Sequence, residues 1–374
     1  MSTIRHKLLA VSAATVSIVG LAACSESKDA AGAIAVTATD SKCDVATKEA
    51  KAGNVTFEVT NEGKKVTEFY VYADGDRIMG EVENIGAGLN RKLIVKLPAG
   101  EYETACKPGM KGDGIRGKFT VTGEAKDVDD PDLKAAAEDY EQYVKGQTAE
   151  LTTKTQEFVD AVKAGKIDEA KALFPVARSY WERIEPVAEI FGDLDPAIDG
   201  REVDLAEGDE FTGFHRIEKA LWVENDTSQM GPVADQLMAD IQEIVKRIDE
   251  TDLNALQLAN GATALLDEIA APDGKISGEE DIFSGTDLWD LAANLEGSKA
   301  AIESLRPVLQ KRNPTLLSEI DERFVTAEAT IAKHKVGDGY KFYKELTDED
   351  KKDIVTAVNA LKEKTSLAAG ELDK

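Results

Sequence analysis

From residue 34 to residue 122, apolar and β-branched residues recur at every second position in short runs. The pattern predicts strands over 34–39, 55–60, 68–72, 91–97, 102–106 and 118–122. Turn-forming groups separate them, among them Asn61-Glu62-Gly63, Asp74-Gly75, Pro98-Ala99-Gly100 and Pro108-Gly109, at the spacing of a small β-sandwich. After residue 130 the period becomes helical. Asp130 supplies an acceptor side chain and Pro131 the first helical position, and Leu133, Ala137, Tyr140 and Val144 follow on one face. Further helices are predicted over 167–190, 211–222, 232–247, 253–270, 287–310, 314–333 and 348–366, the last opening with a capping box from Thr347 to Asp350. The expected fold class is multidomain: an N-terminal β-sandwich over 33–123, a charged linker over 124–130 and an all-α helical bundle over 131–374.

The start of the chain shows neither period. Arg5 and Lys7 precede an apolar stretch of small residues, which ends Leu21-Ala22-Ala23-Cys24. Residues 1–23 read as a signal peptide ending in a lipobox, with Cys24 becoming the lipidated N-terminus and residues 24–32 a small polar tether; plain secretory cleavage is the alternative. The expected location is extracytoplasmic, anchored to the cell membrane by lipidated Cys24. No later apolar run is long enough to span a bilayer.

Charge narrows the partners. The 374 residues carry 45 basic and 71 acidic side chains, a formal charge of −26; losing the leader removes Arg5 and Lys7 but no acid, which takes it to −28. Nucleic acid is excluded as a partner, because phosphate neutralisation needs clustered Lys and Arg. A cation is the natural guest of such a field, although solubility alone accounts for most surface carboxylates.

His215 is one of two histidines outside the leader, and Glu218 follows it at i+3, so imidazole and carboxylate can share a helix face. Two acidic pairs repeat that spacing beside a tryptophan: Glu182 and Glu185 next to Trp181, and Asp287 and Asp290 around Trp289. Each pair also has a plain reading. Glu182 and Glu185 can salt-bridge Arg178 or Arg183, and Asp287 and Asp290 can complement a helix N-terminus after Thr286.

The segments Tyr180-Trp-Glu-Arg-Ile-Glu-Pro-Val-Ala-Glu189, Phe191-Gly-Asp-Leu-Asp-Pro196, Thr212-Gly-Phe-His-Arg-Ile-Glu-Lys-Ala-Leu-Trp222 and Asn294-Leu-Glu-Gly-Ser-Lys-Ala300 resemble those of the EfeO family of extracytoplasmic iron-uptake components. Cys43, Glu68 and Glu101-Tyr-Glu-Thr-Ala-Cys106 match the N-terminal part of that family. The resemblance implies a cupredoxin-like sandwich followed by an imelysin-like bundle. It also implies capture of ferric or ferrous iron for an inner-membrane iron permease that works beside a haem peroxidase. Carried over by position, the family's bundle motif falls on His215 and Glu218, with Glu182, Glu185 and Asp287 as candidates to complete the metal site. Iron suits a carboxylate-rich set with one imidazole, and zinc or copper are further candidates.

Enzyme chemistry finds little support. A zincin or inverzincin needs two nearby imidazoles, yet Glu218 is followed by Lys219 and the next histidine is His334; no G-x-S-x-G elbow is present. Residues 24–214 contain no histidine, which excludes type 1 copper in the sandwich. Cys43 and Cys106 are expected either to form a disulfide or to join Glu68 and Glu101 in a metal site. In a regular strand Glu101 and Cys106 face opposite ways, so the second option needs a bulge. The leading expectation is a lipid-anchored, non-enzymatic iron carrier. The alternatives are a metal-dependent oxidase or peptidase and an acidic-polysaccharide binder, for which the negative charge is awkward.

Overall fold

Alternating burial builds the strands. In chain order they are β1 (Ile34–Ala38), β2 (Cys43–Val45), β3 (Glu49–Lys51), β4 (Gly53–Asn61), β5 (Thr67–Tyr72), β6 (Ile78–Ile85), β7 (Asn90–Leu97), β8 (Gly100–Cys106) and β9 (Ile115–Thr122). In β4, for example, Val55, Phe57 and Val59 face inward between more exposed neighbours. One sheet runs β2-β1-β4-β7 and the other β3-β9-β8-β5-β6. The pairs β1/β4 and β3/β9 are parallel. Val36, Phe57 and Leu93 from the first sheet pack against Phe69, Val71 and Phe119 from the second, which gives the expected sandwich.

This computed structural model describes residues 32–124, 130–188, 190–205, 208, 210–271 and 274–374. The expected leader, Cys24 and almost all of the tether lie outside the described residues, as does most of the linker. Asp130, at the linker's end, caps the first helix by accepting the backbone N–H groups of Asp132 and Leu133 at 2.9 and 3.4 Å.

The helices are α1 (Pro131–Lys163), α2 (Ile167–Glu182), α3 (Glu185–Ala188), α4 (Asp195–Asp199), α5 (Gly213–Lys219), α6 (Gly231–Asp249), α7 (Ala255–Ala270), α8 (Asp287–Arg312), α9 (Pro314–Ala332), α10 (Asp348–Thr365) and α11 (Ala368–Leu372). Their apolar stripes meet in one core that includes Phe158, Phe174, Phe214, Leu266, Leu291 and Leu305. The capping box at Thr347 forms, with Asp350 N–H donating to Thr347 Oγ1 at 3.1 Å and Thr347 N–H to Asp350 Oδ2 at 2.9 Å.

Two departures from the expected helices shape the site. The run over 167–190 breaks after Glu182, because Pro186 has no N–H to offer the Glu182 carbonyl. Asn294 Nδ2 on α8 takes that carbonyl instead, at 3.0 Å. Close approach of α8 there requires Gly297, where a Cβ would sit 2.5 Å from the Arg183 carbonyl oxygen. The run over 211–222 starts at Gly213, whose φ of +71° and 2.1 Å virtual contact with the Ile198 carbonyl oxygen admit no side chain. It ends in a wide π turn from Ala220 to Glu224.

Strands and helices belong to one compact unit, Ala33–Lys374. Ile94 of β7 joins the helical core, and Asn260 Nδ2 on α7 donates to its carbonyl at 2.9 Å. Ile78 N–H donates to the Ile190 carbonyl at 3.0 Å.

Candidate metal centre

Helix α5 presents His215 and Glu218 to the bundle interior, where both are buried. His215 Nδ1 lies 3.0 Å from Glu218 Oε2. The other oxygen, Glu218 Oε1, accepts the backbone N–H groups of Phe283 and Ser284 at 3.0 and 2.7 Å. The carboxylate therefore ties the ring to the loop between α7 and α8. On the far side of the ring, Nε2 has no hydrogen-bond partner and stands 3.5 Å from Asp199 Oδ1 and 3.7 Å from Glu280 Oε1. Asp281 Oδ1, which has no hydrogen bond but an ion pair with Arg178 Nε at 3.3 Å, is 3.9 Å from Nδ1. Two groups with metal-ligand spacing result, Asp199/His215/Glu280 and His215/Glu218/Asp281, and all five residues are buried.

Glu182, Glu185 and Asp199 form a third such group, but the two glutamates already hold cations. Lys275 Nζ lies 2.5 Å from Glu182 Oε2 and 2.8 Å from both oxygens of Glu185, and Asn294 Nδ2 donates to each carboxylate. Arg178 takes the remaining Glu182 oxygen at 2.5 Å. The Arg178 salt bridge open to Glu182 from the sequence is thus formed. Asp287 stands apart from these groups: its Oδ1 accepts the Asp281 N–H at 3.3 Å, and its Oδ2 is buried without a partner. It supports the loop that carries Asp281.

Crowding of like charges shifts the titrations. Burial and the Arg178 charge favour a neutral His215, but Glu218, Glu280 and Asp199 outweigh them and raise its pKa to about 10. Burial raises Asp281 to about 6, and burial together with Asp281 raises Asp287 to about 8. Glu280 is also buried, yet Lys275, His215 and Arg178 hold it well below the usual carboxylate range. A cavity of about 270 Å³ lined by Trp222, Phe283, Phe342 and Tyr343 reaches Asp281 from outside.

Sequence reasoning missed Asp199, Glu280 and Asp281. The only local signal was the acidic run Glu279-Glu280-Asp281 in a loop, which reads as a solvated turn. Of the three tryptophans, Trp181 has a direct tie to these groups, its Nε1–H donating to Asp199 Oδ2 at 3.1 Å.

The expected sandwich site is not assembled. Cys43 on β2 and Cys106 on β8 form a disulfide that links the two sheets. Cys106 pairs with Phe69, and both point into the sandwich core. Glu68, the neighbour of Phe69, therefore faces the opposite side of the sheet, where it acts electrostatically on Tyr70 and Tyr72. Glu101 is exposed, on the outer side of β8, and accepts from Thr120 Oγ1 at 3.0 Å. The register of β8 with β5 and β9 is regular, and the shifts in this sheet lie between β5 and β6, so alternation keeps both carboxylates away from the sulfurs.

The Imelysin family pattern matches residues 136–368, and the cupredoxin-like domain pattern matches residues 10–121. The iron uptake system component EfeO of Escherichia coli K12 is 41% identical over 347 residues, covering 91% of each chain, and the EfeO proteins of E. coli O157:H7 and Shigella flexneri match to the same extent. A crystal structure of an iron-regulated protein A precursor from Parabacteroides distasonis shares the fold, with a TM-score of 0.50 and 14% identity, covering 64% of this chain and 95% of the other. With both patterns in order along one chain and that identity across nine-tenths of it, the protein belongs to the EfeO family.

Proposed function

We propose that this chain is an extracytoplasmic iron carrier, without enzymatic activity, that captures the ion at His215. The observation that carries this reading is the unpartnered, buried His215 Nε2 facing Asp199 and Glu280. A buried polar atom without a partner is costly, and a cation would give the nitrogen a partner while drawing on the Asp199 and Glu280 oxygens that Arg178 holds in its absence. Hard oxygen ligands with one imidazole suit iron. Asp199 and Glu280 are the ligands on the Nε2 side, whereas Glu218 holds the ring through Nδ1, as carboxylates commonly do for metal-bound histidines. Asp281 supplies a further carboxylate. Glu182, Glu185 and Asp287 contribute charge from behind this shell.

Residues 1–23 serve as the signal peptide, Cys24 as the lipid anchor and 24–32 as the tether; 33–123 and 131–374 are the two folding regions. The relatives' name, iron uptake system component, supports a place in iron uptake; we infer that the partners are a membrane iron permease, which receives the ion, and a haem peroxidase of the same system. Metal analysis of the purified mature protein tests the capture step. One iron per chain, lost in His215→Ala, supports it, and equal iron in both proteins refutes it. Cell fractionation tests the anchor: Cys24→Ser should move the protein to soluble fractions.

A further inference from the structure

A guanidinium already holds the oxygens that would receive the metal. Arg178 is fully buried, with Nη2 3.0 Å from Glu280 Oε1, Nε 3.3 Å from Asp281 Oδ1 and Nη1 bonded to Asp199 Oδ1. Apart from Glu218 Oε2, which holds Nδ1, these are the carboxylate oxygens that approach His215. The second oxygen of each acid is engaged elsewhere: Asp199 Oδ2 by Trp181 Nε1, Asp281 Oδ2 by Thr286 Oγ1, and Glu280 Oε2 at 3.7 Å from Arg201 Nη1. A cation entering beside His215 must therefore use atoms that Arg178 occupies. An arginine cannot make room by losing its proton.

We propose that Arg178 is a resident competing cation. In the metal-free protein it holds Asp199, Glu280 and Asp281 together against their mutual repulsion. When metal enters it yields these oxygens, and its nearby charge opposes the bound ion. Its remaining contacts, to Glu182 Oε1 at 2.5 Å and Asp290 Oδ2 at 3.4 Å, give the guanidinium acidic groups to withdraw toward. Metal binding is thus an exchange of one cation for another, and the arginine sets how readily the metal leaves. Such a residue suits a carrier that must release its cargo. The inference rests on the reading of the His215 centre as a metal site.

The test loads wild type, His215→Ala, Arg178→Gln and Arg178→Lys with ferric nitrilotriacetate. It measures equilibrium affinity, the rate of iron loss to excess chelator, and thermal unfolding with and without iron. Arg178→Gln should bind iron about tenfold or more tighter and release it correspondingly more slowly, a coupling of the usual size between interacting sites. Its metal-free form should melt lower than wild type, and iron should raise its Tm by more. Arg178→Lys, which keeps the charge but loses the fork, should fall between. If Arg178→Gln folds only with iron present, slower loss of that iron still supports the exchange, and failure to fold even with iron overturns it. A folded Arg178→Gln that binds more weakly, or releases iron at the wild-type rate, overturns it as well and makes Arg178 an organiser of the ligands. Wild type that binds no iron, or His215→Ala that binds like wild type, instead defeats the underlying metal-site reading, and this inference falls with it.

Discussion

Glu218 binds His215 Nδ1 through one oxygen and two backbone N–H groups, those of Phe283 and Ser284, through the other. The carboxylate fixes the ring's rotation and leaves Nε2 turned toward Asp199 and Glu280. Glu218→Gln keeps the shape and removes the charge. It should weaken iron binding by about 10- to 100-fold, the usual effect of losing a carboxylate behind a metal-bound histidine, while the metal-free fold survives. Iron titration, with circular dichroism as the control for folding, checks this; an unchanged affinity would show that the pair does not act on the metal.

The metal-free protein should be more stable at about pH 5 than at about pH 8.5. Burial raises Asp287 to about 8, Asp195 to about 7 and Asp281 to about 6. A group whose folded pKa is raised stabilises the fold fully below its unfolded value and loses that contribution as pH rises through the folded one. His215 acts in the same direction between its ordinary 6.5 and about 10. Glu280 has the opposite sign, but its contribution is lost only below the ordinary 4.5. Urea midpoints across this range check the sign, and a lower midpoint on the acid side contradicts it.

Lys275→Met should destabilise the fold by about 3–5 kcal/mol, because Glu182 and Glu185 would be left buried without their ammonium partner. Denaturant unfolding measures it. A loss under 1 kcal/mol would mean that the two acids simply take up protons or that Arg178 and Asn294 suffice.

Replacing both Cys43 and Cys106 by Ala opens a covalent loop spanning a sequence separation of 63 residues. The sandwich should lose about 4 kcal/mol through the freed unfolded chain, and iron affinity at His215 should not change. Alkylation of the native protein should label neither sulfur without prior reduction. Labelling of both would show free thiols.

Much of this architecture was legible because it is local. Alternation marked β4 and β7, helical period marked α7 and α8, and the i, i+3 spacing singled out His215 with Glu218. Strand β6 escaped notice because Gly80 and the left-handed Asn84, φ +52°, interrupt its alternation. The break after Glu182 was written in Pro186 but was outweighed by the apolar period on both sides. Asp199 and Glu280 could not be found by spacing, since they lie 16 residues before and 65 after His215 and meet it only through tertiary packing. Arg178 was legible only as a partner for Glu182, four residues on, and not as a partner of Asp199, Glu280 and Asp281; the charge of Lys275 looked like any other in a highly charged chain.

The proposed function stands on iron binding against the Nε2 side of His215. An anomalous difference map at the iron edge, from crystals of the mature protein loaded with iron, locates the ion. One strong peak is expected adjoining His215 Nε2, Asp199 and Glu280. A peak beside Glu68 or Glu101, or no ordered peak in protein that carries one iron per chain, would contradict it.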